Sequence, residues 1–258
     1  MYSPRDVELI NRMRRLSDDG VPLARAAELA RSEVRELPGE SLSEGLVARM
    51  LSALLSWDER RAADAWTDML ERFDLQTGFK RVVVPLLKEV GNGWHDGVVS
   101  VAQEHFATNF VRARLDYLSR QVTPPAGAPV VLFACLEGEH HEVGLLMLAV
   151  MVRFNGLRTI YLGQDVPESA LLRTLEDAQP QVAALNAGTV AGASRMRELL
   201  PRIRAAAPLT DVVFGGYAFD AELADRAIPG AHYGGEDLEA AVVTINHLGR
   251  RARAGGTG

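Results

Sequence analysis

From residue 129 onward the chain alternates short apolar runs with amphipathic helical stretches, five times over. The runs are "VVLFAC", "RTIYLG", "QVAALNAG", "DVVFGG" and "AHYGG"; helical spacing covers 143–155, 168–178, 192–207, 219–227 and 236–252. A continuous apolar run is the pattern of a strand buried on both faces. Repeated strand–helix units with right-handed crossovers close into few architectures. The alternation therefore predicts a doubly wound parallel sheet, flavodoxin-like or Rossmann-like, over 130–252. Ligands on such sheets sit outside the carboxyl ends of the strands.

The residues before it read as helix almost throughout, giving an α/β chain with an N-terminal all-α part. Ser3 is placed to cap a first helix, with Pro4 and Asp6 in its first turn and Val7, Ile10, Met13 and Leu16 along one stripe. "LARAAELARSEVREL" is a second short helix, and "PGES" breaks the chain at 38–41. Four helical patterns follow at about 42–56, 58–73, 75–92 and 99–120. Their short connections favour antiparallel neighbours, hence a four-helix bundle over 42–120. Residues 121–129, with "TPPAGAP", have linker composition, and "RARAGGTG" reads as a frayed tail.

The chain is 47% hydrophobic and 24% charged, as in a packed globular protein, and its net charge of −6 is no whole-chain nucleic-acid signature. One cysteine, Cys135, allows no internal disulfide and fits a reducing compartment. No run approaches the roughly 20 apolar residues that cross a bilayer, and the start lacks a signal-peptide pattern. The expectation is a cytoplasmic protein with no membrane partner.

The chemistry concentrates in "CLEGEHHEVGLL", 135–146. Glu139, His140, His141 and Glu142 fall at the carboxyl edge of the first strand, where a ligand belongs. Neutral imidazole suits late first-row metals such as cobalt, and Glu139 can take the other ring N–H and fix the tautomer. A polar loop without chemistry is the plain alternative. Zinc is a further one, without Cys pairs or HExxH spacing behind it.

Glu139-x-His141-x-x-Gly144 resembles the Asp-x-His-x-x-Gly motif of cobalamin-binding domains. There a Ser-x-Leu and then a Gly-Gly follow at spacings that here hold Asn186-Ala187-Gly188 and Gly215-Gly216. The resemblance implies that the cofactor's dimethylbenzimidazole tail leaves cobalt for a slot between sheet and helices, and that His141 replaces it as lower ligand. His140 is then a solvent-facing neighbour. Asn186 can offer a hydrogen bond toward a buried ligand nitrogen. Gly188 opens space where the motif fills it, and Gly215 and Gly216 let a planar ring approach the backbone.

"GNGWHDGVVSVAQEHF" sits at the junction of the third and fourth helices. Its Trp94, nine residues, then Glu104 and His105 resemble the cap motif of light-sensing, adenosylcobalamin-dependent regulators of the CarH and LitR type. The resemblance implies that Trp94 covers the adenosyl group, that Glu104 and His105 contact it, and that His95 takes the upper cobalt position once light expels it. The plain readings are a core indole, two polar residues on an outer helix face, and a loop histidine. Residues 1–37 resemble the second half of a MerR-type winged-helix domain, without its helix-turn-helix. Arg5, Arg12, Arg14 and Arg15 are then phosphate contacts or a solvated face, and Met1 is expected to be an internal methionine of a longer protein.

Together these resemblances imply a non-enzymatic cobalamin sensor of a transcriptional regulator. It would be a homo-oligomer, dimer or tetramer, that meets operator DNA only with the upstream helix-turn-helix present. The rivals are a corrinoid methyl-carrier protein and a cobalamin sensor indifferent to light.

Overall fold

The computed structural model describes residues 40–220, 226–235 and 237–254. The winged-helix resemblance of residues 1–37 lies outside them, as do 221–225 of the helix expected at 219–227.

Four helices come first: α1 (Glu40–Leu55), α2 (Glu59–Arg72), α3 (75–95) and α4 (Val101–Arg120). Asp58 caps α2 by accepting from the Arg61 N–H. The third helix, α3, runs through Leu75–Gly78, a π-helical turn Phe79–Val83, and Val84–His95. Pro85 explains the wide turn. In a regular helix its ring would meet the carbonyl four residues back, and here the Val84 N–H instead reaches the Phe79 carbonyl. The helix extends past the expected end at residue 92 to His95. Gly91 and Gly93 do not stop it, because Gly93 serves packing: a Cβ there would lie 2.6 Å from Val99 Cγ2. Ser100 and Gln103 form a reciprocal capping box that starts α4 at Val101, two residues later than its pattern suggests. The Gln103 side chain also donates to the Leu55 carbonyl (2.8 Å), tying that start to the end of α1.

Five parallel strands follow in the order β2-β1-β3-β4-β5. They are β1 (Val130–Leu136), β2 (Arg158–Val166), β3 (Val182–Asn186), β4 (Asp211–Gly215) and β5 (His232–Tyr233). The intervening helices are α5 (Val143–Phe154), α6 (Glu168–Ala178), α7 (Val190–Ala206), the short α8 (Tyr217–Asp220) and the closing α9 (Leu238–Ala254). Thr189 caps α7 through the Gly192 N–H, which sets its start ahead of the expected residue 192. No helix of the described residues is long and apolar enough to cross a membrane.

Strand β1 shows how sheet and bundle become one body. Val131, Phe133 and Cys135 are buried in the same apolar cluster as α5 and the bundle residues Met50, Leu54, Met69, Phe79 and Leu86. Leu132, Ala134 and Leu136 belong to the opposite cluster, with α6 and α7. This is the period-two alternation of a central strand, with each fully buried Leu or Phe contributing roughly 1.5–3 kcal/mol. The bundle thus packs on the face of the sheet that α5 and α9 also cover, and the carboxyl ends of β1, β3 and β4 meet its edge.

Candidate functional site

Between β1 and α5 the chain turns through Glu137–Glu142, and its backbone is tied at nearly every residue. Gly138, at φ +82°, makes the turn. Its N–H donates to Asp165 Oδ1 (2.7 Å), and the Asp165 N–H donates to the Glu139 carbonyl (2.9 Å). Arg195 of α7 donates to the Glu137 carbonyl. The loop is therefore a rigid mount, which a positioned ligand group requires.

His141 stands on that mount with 90% of its side chain exposed, while Glu139 behind it is 3% exposed. Glu139 Oε1 accepts from His141 Nδ1 (2.7 Å) and from the His141 N–H (2.8 Å). Its Oε2 accepts from the Gly188 N–H (2.5 Å). Burial pushes the Glu139 carboxyl up, but the hydrogen bonds from His141 and Gly188 outweigh it and hold the group below its ordinary value. An ionised carboxylate can only accept, so the ring proton sits on Nδ1 and Nε2 keeps its lone pair. His140 is exposed beside it.

The next residue faces the bundle. Glu142, with 6% of its side chain exposed, pairs through Oε1 with Arg112 Nε of α4 (2.9 Å) and accepts from the Tyr161 hydroxyl through Oε2 (3.0 Å). Burial raises the Tyr161 phenol, and the Glu142 charge adds to the shift. Gly163 makes room for that carboxylate, since a Cβ there would lie 3.3 Å from Oε2.

A cavity of about 820 Å³ opens between bundle and strand ends. His141, Gly144, Leu145 and Leu148 form one wall, and Asn186, Gly188, Gly215 and Gly216 another. Gly144 and Gly215 have nothing within 4 Å of where a Cβ would stand, so their backbones face open space. The structure thus brings together most residues the sequence nominated on the sheet. Two of their roles differ from expectation. Gly188 does not leave space open: a Cβ there would fall 2.4 Å from Glu139 Oε2, so the carboxylate already fills it. Asn186 spends its amide N–H on the His141 carbonyl (3.0 Å) and on Cys135 Sγ (3.7 Å) instead of offering it to the cavity.

The cap nominations lie elsewhere. Trp94, His95, Glu104 and His105 are not on the cavity wall; α3 contributes Gln76, Lys80, Val84 and Lys88 instead. These recur every four residues, so they share one helix face, and that spacing was the signal available in the sequence. Lys80 also bridges the cavity mouth to Asp237 (3.2 Å) and Glu239 (3.5 Å) at the start of α9. Trp94 lies about 9 Å further along the helix axis than Lys88, at a corner where the Gly93 carbonyl accepts from both the Val98 and Val99 N–H groups (2.8 Å each). Its indole is 51% exposed. Glu104 accepts from Thr108 Oγ1 (2.8 Å) and touches His105 Nδ1 (2.5 Å), whose side chain is 70% exposed.

The donor set indicates what the cavity can hold. Among the described residues no cluster of three or more His, Cys, Asp or Glu could hold a bare metal ion. One imidazole with a free Nε2 suits a metal that a macrocycle already holds on its other sides, and the glycine-edged wall admits a flat ring. A corrin fits those residues.

Comparison with known proteins agrees. Residues 129–243 match the B12 binding domain family, and residues 46–119 match a second B12 binding domain family. Over 218 residues the chain is 33% identical to the HTH-type transcriptional repressor CarH of Myxococcus xanthus, covering 80% of this chain and 73% of that repressor. It is 30% identical over 218 residues to the HTH-type transcriptional repressor CarA of the same organism, covering 83% and 73%. The monomethylamine corrinoid protein of Methanosarcina barkeri superposes with a TM-score of 0.63 at 16% identity, over 81% of this chain and 99% of that one. At that identity the likeness is one of fold.

Proposed function

The chain belongs to the family of CarH- and CarA-type B12-binding transcriptional repressors, and from that membership we propose that it senses light through adenosylcobalamin and controls self-association and operator binding. The observation that carries the reading is the mounted imidazole of His141, its Nε2 free at the mouth of a cavity between bundle and sheet.

Glu139 fixes the His141 ring, and Nε2 would be the nitrogen that holds the cobalt of a bound corrinoid. Bound there, adenosylcobalamin supplies a cobalt–carbon bond that visible light breaks. The bundle's share is to cover the upper face. Trp94 exposes half of a large apolar surface that the core does not use, and in this reading a rearrangement of α3 and α4 brings it, with Glu104 and His105, over the adenosyl group. His95 beside it would be the residue to supply a second nitrogen to the cobalt after illumination. Because bundle and sheet share one apolar cluster, a shift of the bundle displaces whatever surface it presents to another copy. In this reading the dark form is a dimer or tetramer that occupies operator DNA, light disperses it, and the chain catalyses nothing.

The test is to load the chain with adenosylcobalamin in darkness, illuminate it, and follow the absorption spectrum and the size-exclusion profile. A photoproduct altered by His95→Ala and a change of size support the reading. A spectrum inert to light with ready methyl transfer places the chain with the carriers, whose fold it shares. Binding without any effect of light on size makes it a sensor of cofactor level.

A further inference from the structure

Asn186, Ala187 and Gly188 close β3 opposite the histidine loop, and their contacts run to that loop as well as to the cavity. Three points of His141 are held from here. Its carbonyl accepts from Asn186 Nδ2 (3.0 Å), while its ring Nδ1 and its N–H both go to the carboxylate that the Gly188 N–H anchors at 2.5 Å. A side chain at 188 has no place. Its Cβ would stand 2.4 Å from Glu139 Oε2 and 3.0 Å from Cδ, and the carboxylate cannot retreat without giving up its bonds to His141. The same holds one layer further. At Gly216, φ +122°, a Cβ would lie 2.5 Å from Asn186 Oδ1 and 2.6 Å from the Ala187 carbonyl.

We propose that Asn186-Ala187-Gly188 is a clamp for the cobalt-ligating histidine, with Gly188 the positioning residue that admits a glutamate at 139 and anchors it by a backbone N–H. Two of the three departures from the cobalamin-domain motif, a glutamate for the aspartate and a glycine for the leucine, then have one cause. The longer carboxylate occupies the volume a side chain at 188 would need. A backbone N–H is a donor that no protonation change can reverse, so Glu139 is held as an acceptor on both oxygens and the His141 tautomer is fixed from the sheet. The inference rests on the cofactor reading for its purpose, but its geometry concerns the unloaded chain.

Gly188 has no positive φ, so Gly188→Ala adds a methyl without backbone strain and reads the carboxylate displacement alone. We expect it to weaken adenosylcobalamin binding by about 10- to 100-fold, the usual effect of losing a ligand's outer partner. Shortening the acid by a methylene should restore affinity, so Glu139→Asp/Gly188→Ala binds more tightly than Gly188→Ala. Wild-type affinity in Gly188→Ala, or a double variant no better than the single one, would overturn the clamp. An assay without cofactor guards against a variant that fails to fold. In ¹⁵N-labelled wild-type chain the Gly188 amide proton should be shifted far downfield and protected from exchange, and Glu139→Ala should abolish both. An ordinary, fast-exchanging amide at 188 refutes the proposal even if cobalamin binds. Wild-type chain that takes up no corrinoid defeats the cofactor reading and leaves the amide result to decide the clamp.

Discussion

Replacing Arg112 by methionine tests how the bundle is held to the histidine loop. The Arg112 guanidinium reaches from α4 to Glu142, a residue next to His141 whose side chain is 6% exposed. Methionine keeps an apolar stem of similar length and removes only the charge and its donors. Stripping one partner from a fully buried pair costs about 3–5 kcal/mol, because the other charge is left uncompensated. Arg112 is 49% exposed, however, so solvent screens part of the pair in wild type and the loss falls to about 1–3 kcal/mol. For a chain of this size that lowers the thermal midpoint by roughly 2–12 °C. Circular dichroism melts of the four proteins in the Arg112→Met, Glu142→Gln cycle give the coupling. Glutamine still accepts from Tyr161, so the double variant should recover part of the loss, with a coupling of about 1 kcal/mol or more. Arg112→Met melting with wild type, or strict additivity in the cycle, would refute the pairing as a structural link.

Three further outcomes follow from the same geometry. Lys80→Met should leave the unfolding midpoint unchanged at high salt, since its partners Asp237 and Glu239 are about half exposed and screened; a large loss would mean that this bridge, and not the shared core, holds the cavity mouth. Asp74 caps α3 through the Thr77 N–H and hydroxyl, and these hold its carboxyl below the ordinary 3.8. Its contribution is therefore complete above that value and lost as pH falls through the lowered one, so the roughly 0.5–1 kcal/mol cost of Asp74→Ala should shrink progressively in urea melts taken further and further below pH 3.8. Burial pushes the Cys135 thiol up to about 12, leaving ~1 thiol in 10⁴ ionised at pH 8; thiol reagents should label it only after unfolding, and prompt labelling of the native chain would show β1 to be accessible.

The features legible in the sequence were those carried by local pattern. Five apolar runs alternating with helices gave the parallel sheet, because period and turn residues act within a few positions. Glu139 and His141 were readable as a pair because they stand two apart on one turn, where a short carboxylate reaches back. Longer-range packing was not readable. Gly91 and Gly93 look like a helix end, yet contact with Val99 carries α3 on to His95. Gly188 looks like an opening, and only the fold brings Glu139 from 49 residues away to fill it. The four-residue spacing of Gln76, Lys80 and Lys88 marks one side of α3, but their composition is that of a solvated face, and only the bundle's seating on the sheet turns it to the cavity. Arg112 and Glu142 are 30 residues apart, with nothing in either segment that announces the pair.

The most direct test of the account asks which nitrogen binds cobalt. The chain is grown with ¹⁵N-histidine, loaded with unlabelled cob(II)alamin, and its electron paramagnetic resonance spectrum recorded. Ligation by His141 predicts that the cobalt lines split into doublets from spin-½ ¹⁵N, and that His141→Ala loses them. Triplets from ¹⁴N in the labelled wild type would mean that the cofactor's own base remains on cobalt, and would contradict the account.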